Sequence, residues 1–204
     1  MQSNVDPKNL LGAMHFQATG ELMRLMDGFY SNLEDGLFEL AYASEDGVMQ
    51  RSTVDLMREL RFRREHLLKT FGKRLQNAAS HWYAEDDSDM YLEERTRSDL
   101  IASRCSSHFA GLLQAISERI TNGCRIEMDR SGVPLGPEQV SYHFVMTCRS
   151  LELSNEAIGM VQDLFHRFVL DRLGGIYGEI NRQLREAGFL SNAEIQEADQ
   201  VSTA

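Results

Sequence analysis

The sequence predicts an all-α protein, a single-domain multi-helix bundle with long helices. Its 204 residues include only 3 prolines, so most of the chain is free to be helical. Apolar residues recur every three or four positions over long stretches, which is the period of a helix with one buried face. Turn signals are few and separate these stretches. With 42% hydrophobic residues the chain can bury a substantial core.

The first helical pattern begins at Asp6–Pro7, where the aspartate can cap the helix and the proline can occupy its first position. Its apolar positions continue toward the turn signal Glu45–Asp46–Gly47. Because glycine disfavours a helix interior, the pair Asp35–Gly36 predicts a break or kink in this helix.

A second helix is predicted from about Met49 to Trp82. Arg64 projects between the directions of Leu60 and Leu68, near the middle of the apolar side. An arginine in that place needs a carboxylate or several carbonyl groups as partners. We therefore predict a buried or half-buried Arg64 that pairs with a carboxylate of another helix.

A third helix is predicted from about Tyr91 to Asn122, with Asn122–Gly123 as its end. The predicted core positions of this helix are Leu100, Ile101, Phe109, Leu112, Leu113, Ile116 and Ile120.

The segment 124–136 is the one long irregular stretch that the sequence predicts, because its proline and glycines disfavour regular structure. We predict that Val133 and Leu135 hold it against the bundle. Pro137 then occupies the first position of a fourth helix.

The stretch from Ser154 to Gly188 reads as one long helix with a wide apolar side. Ser154 is the predicted N-cap, and Gly188 is the predicted C′ residue of a Schellman turn. A helix with so wide an apolar side requires several other helices to cover it. The helical domain spans residues 1–190, and the polar, acidic residues 191–204 form a tail or the start of a linker.

Composition excludes several classes of protein. The formal net charge is −10, which disfavours binding to nucleic acids and to anionic membranes. No run of about 18 apolar residues is present that could cross a membrane, and the amino terminus lacks the pattern of a signal peptide. Three cysteines, an odd number without CxxC spacing, favour a reduced, cytoplasmic protein.

Two residue pairs have the i, i+3 spacing that metal ligands use on helices: Cys105 with His108, and Asp163 with His166. Asp163 falls on the polar side of its helix and His166 at the edge of the apolar side, so the two side chains diverge. A catalytic cysteine would need a nearby base; His143 precedes Cys148 by five residues, which is a poor helical match, and buried thiols are common. We therefore predict no catalytic residue, no metal site and no cofactor.

The second helix carries the basic concentration of the chain, with Arg58, Arg61, Arg63, Lys69 and Lys73 as candidate contact residues. The structural interpretation is that these cations pair with nearby carboxylates and solvate a helix face. The functional interpretation is recognition of an acidic protein partner or of a signalling nucleotide, because guanidinium groups bind phosphates in a fork geometry.

Gly174, Gly175 and Gly178 lie close together in the long helix. Each glycine costs roughly 0.5–1 kcal/mol relative to alanine in a helix interior. They do not match GxGxxG and follow no strand, so they do not form a dinucleotide site. We predict a helix–helix contact there, either with the first or second helix of the same chain or with the same helix of a second subunit in a homodimer.

Four segments resemble, in order and spacing, the bacterial family catalogued as domain of unknown function 1631, over about residues 30–190. They are Leu37–Gly47, Leu56–Phe71, Val133–Phe144 and Leu164–Leu190. The resemblance implies a helical, cytoplasmic bacterial protein and no settled activity. Some members carry the label thymidine phosphorylase. Such an enzyme needs a larger α/β domain and a phosphate loop, and the sequence shows neither pattern.

The function that the sequence favours is a non-enzymatic regulatory or interaction protein, which binds an unidentified protein partner through a helix face and forms a homo-oligomer. The alternative is a receptor for a small signalling ligand, such as a cyclic dinucleotide, that uses the basic second helix. An enzyme is disfavoured, because no nucleophile, base and oxyanion donor can be assembled from the residues.

Overall fold

The computed structural model describes residues 6–42, 47–79, 92–125, 127–130, 132–151 and 153–202. These ranges contain helices and no strand, which confirms the predicted all-α, multi-helix fold. The α-helices are α1 (Pro7–Tyr42), α2 (Gly47–Ala79), α3 (Leu92–His108), α4 (Ala110–Cys124), α5 (Pro137–Cys148), α6 (Asn155–Phe168), α7 (Gly174–Glu186) and α8 (Asn192–Ser202). Helix α1 packs against α2, α6 and α7, helix α3 against α5, and helix α4 against α7.

Helix α1 runs through 36 residues without interruption, so of the break or kink predicted near Asp35–Gly36 the break is wrong and the kink stays a prediction. Gly36 has another role, because it makes room for α6: a Cβ added there would lie 2.7 Å from a methyl carbon of Leu164. The predicted start of α1 is confirmed by Asp6, whose Oδ1 accepts a hydrogen bond of 3.1 Å from the backbone N–H of Lys8.

Helices α1 and α2 form a hairpin, and Arg64 of α2 links the two. Its Nη2 donates to Asp27 Oδ1 at 2.7 Å and to Ser31 Oγ at 3.0 Å, both on α1. The Arg64 side chain is 38% exposed, so the predicted half-buried pair with a carboxylate of another helix is confirmed. The predicted end of this helix at Trp82 lies outside the described residues.

The predicted third helix is two helices, α3 and α4, which bend apart at Phe109 (φ −99°, ψ 15°). The hydroxyls of Ser106 and Ser107 each donate to the carbonyl four residues earlier, at 3.0 Å, and such bonds bend helices. The bend changes the packing partner, from α5 for α3 to α7 for α4. Leu100 is 74% exposed, so its predicted core position is wrong; on α3 it lies on the side opposite Cys105 and Phe109.

Of the two predicted ends of this region, one is not tested and the other falls elsewhere. The predicted start at Tyr91 lies outside the described residues. Helix α4 continues past Asn122–Gly123 to Cys124 and ends where Arg125 adopts a left-handed conformation (φ 55°). Gly123 is needed for packing, because a Cβ there would overlap the ring of Phe189.

The predicted long helix is also wrong as a single element, because it is interrupted between α6 and α7. A short 3₁₀ turn, Leu170–Arg172, replaces the α-helical hydrogen bonds, and Leu173 N–H donates to Leu170 O at 3.2 Å. The Cys105 thiol of α3 lies 3.4 Å from the same carbonyl and donates to it. A side chain of α3 therefore bonds to the backbone at the interruption, and the sequence of the interrupted segment alone does not reveal this contact.

Both predicted ends of that stretch are confirmed. The Ser154 hydroxyl accepts from the Ala157 N–H at 3.2 Å. Gly188 has φ 87°, its N–H donates to Arg185 O, and the Phe189 N–H donates to Leu184 O, each at 2.9 Å. These two bonds are those of a Schellman motif.

The core is aromatic where α1, α5 and α6 meet. The rings of Phe144 and Phe165 stack with centroids 3.7 Å apart, and Phe29 meets both edge-to-face. All three side chains are at most 1% exposed. The predicted anchors of the irregular segment, Val133 and Leu135, are confirmed at 0% and 2% exposed.

A buried arginine of α4, together with hydrogen bonds from Asn192 to Glu118 and from Asn122 to Asn192, attaches helix α8 to α4. Arg119 is 7% exposed and donates to both carboxylate oxygens of Glu194, at 2.6 and 3.0 Å. It also donates to Phe189 O at 2.9 Å and to Asn181 Oδ1 at 3.2 Å. Residues 192–202 are thus helical and contact the bundle, whereas the domain boundary after residue 190 stays a prediction.

Candidate functional site

The outer face of α2 brings most of the candidate cations together. At 100° per residue, Arg58, Arg61, Lys69 and Lys73 fall within about 120° of arc. All four are exposed, on the side opposite the buried residues of the helix. We call this surface, together with Phe62, the α2 outer face.

Arg63 does not belong to this face. Its Nε pairs with Glu59 at 2.5 Å, and its Nη1 donates to Ser150 O at 2.9 Å, in the turn that follows α5. Arg63 therefore connects α2 to the end of α5, which is a structural role. The sequence reasoning missed this because Ser150 is 87 residues away along the chain.

The cations of the α2 outer face differ in how far they are already paired. Arg61 binds both carboxylate oxygens of Glu34 on α1, which raises the pKa of Arg61 and lowers the pKa of Glu34. Arg58 lies 3.9 Å from Asp55, and both side chains are 79% exposed. Lys69 and Lys73 form no ion pair with any residue that the structure describes.

Large aromatic side chains accompany these cations in solvent. Phe62 is 88% exposed, and its direction on α2 lies between those of Lys69 and Lys73. Beyond the Glu34–Arg61 pair, toward the turn of the hairpin, α1 carries Phe38 and Tyr42. They are 58% and 77% exposed, with ring centroids 5.5 Å apart. Burial of such rings in a complex would remove much apolar surface from water.

The three glycines of α7 have different surroundings. A Cβ added to Gly174 would lie 2.7 Å from a ring carbon of Phe109, so a side chain between α3 and α4 approaches it. The predicted approach by α1 or α2 is wrong for this glycine. A Cβ added to Gly175 or Gly178 would have no neighbour within 4 Å. A contact of these two with a second subunit stays a prediction.

Gly175 lines a groove of about 450 Å³ between α1 and α7, which we call the α1–α7 groove. The residues that line it are Met14, Gln17, Ala18, Glu21, Arg24, Leu25, Arg172, Gly175, Ile176, Glu179, Ile180 and Gln183. Two further clefts lie among α3–α6 and the loop before α5, and their lining includes no residue of α2.

The cysteine thiols show no activation. Burial raises the pKa of Cys105 and of Cys148 to about 12, and it raises the pKa of Cys124 as well. All three are free thiols. A thiol that stays protonated is a poor nucleophile.

The histidines that sequence spacing singled out have other neighbours than a metal site would need. His166 Nδ1 lies 3.2 Å from Asp171, not from Asp163. His108 packs its ring against Phe109, with centroids 4.6 Å apart. Among the described residues no group of three or more His, Cys, Asp and Glu side chains is arranged to hold a metal ion.

A buried basic cluster lies between α1, α2 and α5 and consists of His15, Arg74 and His143. Burial first, and then the charges of Arg74 and His15, lower the pKa of His143 to about 4. Burial also lowers the pKa of His15. The Nδ1 atom of His143 and the Nε atom of Arg74 are buried and have no hydrogen-bond partner. The sequence reasoning did not identify this cluster.

Comparison with known proteins identifies the family. The amino-terminal domain of the protein of unknown function family DUF1631 matches residues 86–188, about half of the chain. The chain belongs to the DUF1631 family. No curated protein and no solved structure matches it. No described helix of the chain is long and apolar enough to span a membrane.

The part of the chain that matches the DUF1631 domain runs from before α3 to the end of α7. The α2 outer face precedes this part, so two of the four segments that carry the resemblance, Leu37–Gly47 and Leu56–Phe71, lie outside the match. The α1–α7 groove is formed half by a helix inside the matched part and half by a helix before it.

Proposed function

We propose that this DUF1631 protein is a non-enzymatic interaction module that binds an acidic partner protein through the α2 outer face. The observation that carries the proposal is Phe62, which is 88% exposed among four cations on the same face. Aromatic residues and arginine are enriched at the centres of protein interfaces. A face with more cations than carboxylates, on a chain of net charge −10, favours a partner surface of negative charge.

The chemistry of the described residues supports binding rather than catalysis. Burial raises the pKa of the Cys105 and Cys148 thiols, so neither is an activated nucleophile. The free thiols are compatible with a reducing compartment, so we propose a regulatory role in the cytoplasm.

The second proposal is a receptor for a small signalling nucleotide, and the convergence of Arg58, Arg61, Lys69 and Lys73 is the observation that favours it. The shape of the site favours the protein partner instead. Small-ligand sites are concave, whereas these cations project from the outside of a helix.

The test uses a photoreactive amino acid placed in cells at position 62 and, as the control, at position 16. Phe16 is also exposed (79%) but lies near the other end of the hairpin. We expect a crosslinked protein at position 62 that is absent at position 16. Binding of that protein to the purified chain should weaken at least tenfold in Phe62→Ala and should weaken with added salt.

Two outcomes decide against the first proposal. One is the same crosslinking pattern at positions 62 and 16. The other is a partner that binds Phe62→Ala as tightly as the wild type. Saturable binding of a cyclic dinucleotide by the wild type that is lost in Arg58→Ala, with no crosslinked protein, would favour the receptor proposal.

A further inference from the structure

The α1–α7 groove has an apolar floor and one cationic end. Met14, Ala18 and Ile176 form the most buried part of the lining, each at most 7% exposed, with Leu25 and Ile180 half-buried beside them. Gly175 contributes no side chain, and the space where its Cβ would project is open. The groove is therefore lined mainly by hydrocarbon and stays open on the side of α7.

The two ends of the groove differ in chemistry. At one end the Gln183 amide donates to Gln17 Oε1 at 2.9 Å, which bridges α7 and α1. The groove runs from there toward higher residue numbers on α1 and lower ones on α7. Arg24 and Arg172 both lie toward the far end. Arg172 forms no ion pair with any described residue, and its guanidinium lies 5.7 Å from the Phe168 ring centroid.

The carboxylates along the rim are already neutralised. Glu21 is paired with Arg24, and Glu179 is bound by Arg182 and by the Gln183 amide. The pair on α1 is solvent-exposed, so it is a weak one. A ligand with a negative head group would meet the Arg172 guanidinium, which has no carboxylate partner among the described residues, and apolar surface beyond it.

The chemistry of the lining favours a hydrocarbon chain over an extended peptide. The lining extends from Met14 to Leu25 on α1, about 16 Å at 1.5 Å per residue. The amides of an extended peptide would find no strand edge among the described helices, and unpaired polar groups oppose burial. A hydrocarbon chain carries no backbone amides and avoids this cost.

We propose that the α1–α7 groove binds a free, single-chain fatty acid, with its carboxylate at Arg172 and its chain over Ala18 and Ile176. The volume lies within the range of about 300–1,000 Å³ that is typical of small-molecule sites. The net charge of −10 opposes adsorption to an anionic bilayer, so the ligand is the free acid and not a membrane lipid. This site is independent of the α2 outer face.

Calorimetric titration of the purified full chain with octanoate, acetate and octan-1-ol tests the proposal. We expect octanoate to bind at least a hundredfold more tightly than acetate, because only octanoate buries a hydrocarbon chain. Arg172→Gln should weaken octanoate binding about tenfold and leave octan-1-ol binding unchanged, since only the acid uses the cationic end.

Two glycine variants provide the matched comparison. Gly175→Leu places a side chain in the groove and should abolish binding of both long-chain ligands. Gly178→Leu is the same substitution on the same helix, also into open space, but outside the groove lining, and it should bind octanoate as the wild type does. Circular dichroism checks that both variants fold. If one of them does not fold, the comparison of Arg172→Gln with the wild type still tests the proposal.

Three results would overturn the inference. The first is an absence of saturable octanoate binding by the wild type. The second is equal octanoate affinity of folded Gly175→Leu and Gly178→Leu. The third is a wild-type dimer in light scattering that Gly175→Leu alone dissociates, which would assign the groove to a second copy of the chain.

Discussion

Arg119→Met removes the arginine that joins α4, α7 and α8. In the wild type the guanidinium makes four hydrogen bonds, two of them to Glu194, and its side chain is 9% exposed. Without it, Glu194 keeps only the Ser191 N–H and hydroxyl, at 2.9 and 3.1 Å, and the Phe189 carbonyl loses its partner. Removal of one member of a buried ion pair costs about 3–5 kcal/mol.

The Glu194 side chain is 29% exposed and can regain water, so we expect the lower end of this range, about 3 kcal/mol. In urea denaturation followed by circular dichroism, with a slope of about 2–3 kcal/mol per M, the midpoint should fall by roughly 1 M. Arg182→Met is the control. Arg182 pairs with Glu179 and Glu186 on the surface of α7, and its loss should shift the midpoint much less.

The pH dependence adds an independent measurement. The Arg119 guanidinium first, and then the Ser191 N–H, lower the pKa of Glu194 from 4.5 to about 2. The ionised Glu194 therefore stabilises the folded protein fully above pH 4.5, and this stabilisation is lost as the pH falls toward 2. The difference in stability between the wild type and Arg119→Met should shrink over this window. Equal midpoint shifts for Arg119→Met and Arg182→Met would refute the reasoning.

Two further predictions concern buried positions. The pKa of His143 is about 4 in the folded protein and 6.5 without burial, so the unfolded state gains a proton first as the pH falls from 6.5 to 4. The free energy of unfolding of the wild type should fall by up to about 3 kcal/mol over this range. Urea titrations at several pH values should show a smaller fall for His143→Gln. An equal fall in both proteins would contradict this prediction. Gly174→Ala should destabilise by about 1–3 kcal/mol because its Cβ meets the Phe109 ring at 2.7 Å. Gly178→Ala, in open space, should stabilise by about 0.5–1 kcal/mol, and equal melting temperatures of the two variants would show that the contact yields without cost.

The features that were predictable from the sequence are those encoded within a few residues. Ser154 caps α6 with its own hydroxyl, and Gly188 supplies the positive φ of the Schellman turn. Pro137 begins α5 as its position after a glycine indicates. In each case the partner lies within five residues, so the local pattern contains the whole interaction.

The features that sequence reasoning missed depend on partners far along the chain. The interruption after α6 is completed by Cys105, 65 residues earlier, and Arg119 meets Glu194 75 residues later. Helical periodicity assigns a side to each residue but not the neighbour on that side. Periodicity does place Phe62 on the side of α2 opposite Leu67 and Phe71, and this was the signal that sequence reasoning overlooked. The α1–α7 groove, in contrast, could not be assembled from α7 alone.

The contact between Phe109 and Gly174 has a consequence for how family members can diverge. Phe109 marks the bend between α3 and α4, and Gly174 follows the interruption between α6 and α7. A ring at one position demands the absence of a side chain at the other, so neither can be exchanged freely while its partner stays. Both lie in the part of the chain that matches the DUF1631 domain. We therefore expect a side chain at position 174 to be tolerated in a family member only where position 109 carries a smaller residue than phenylalanine.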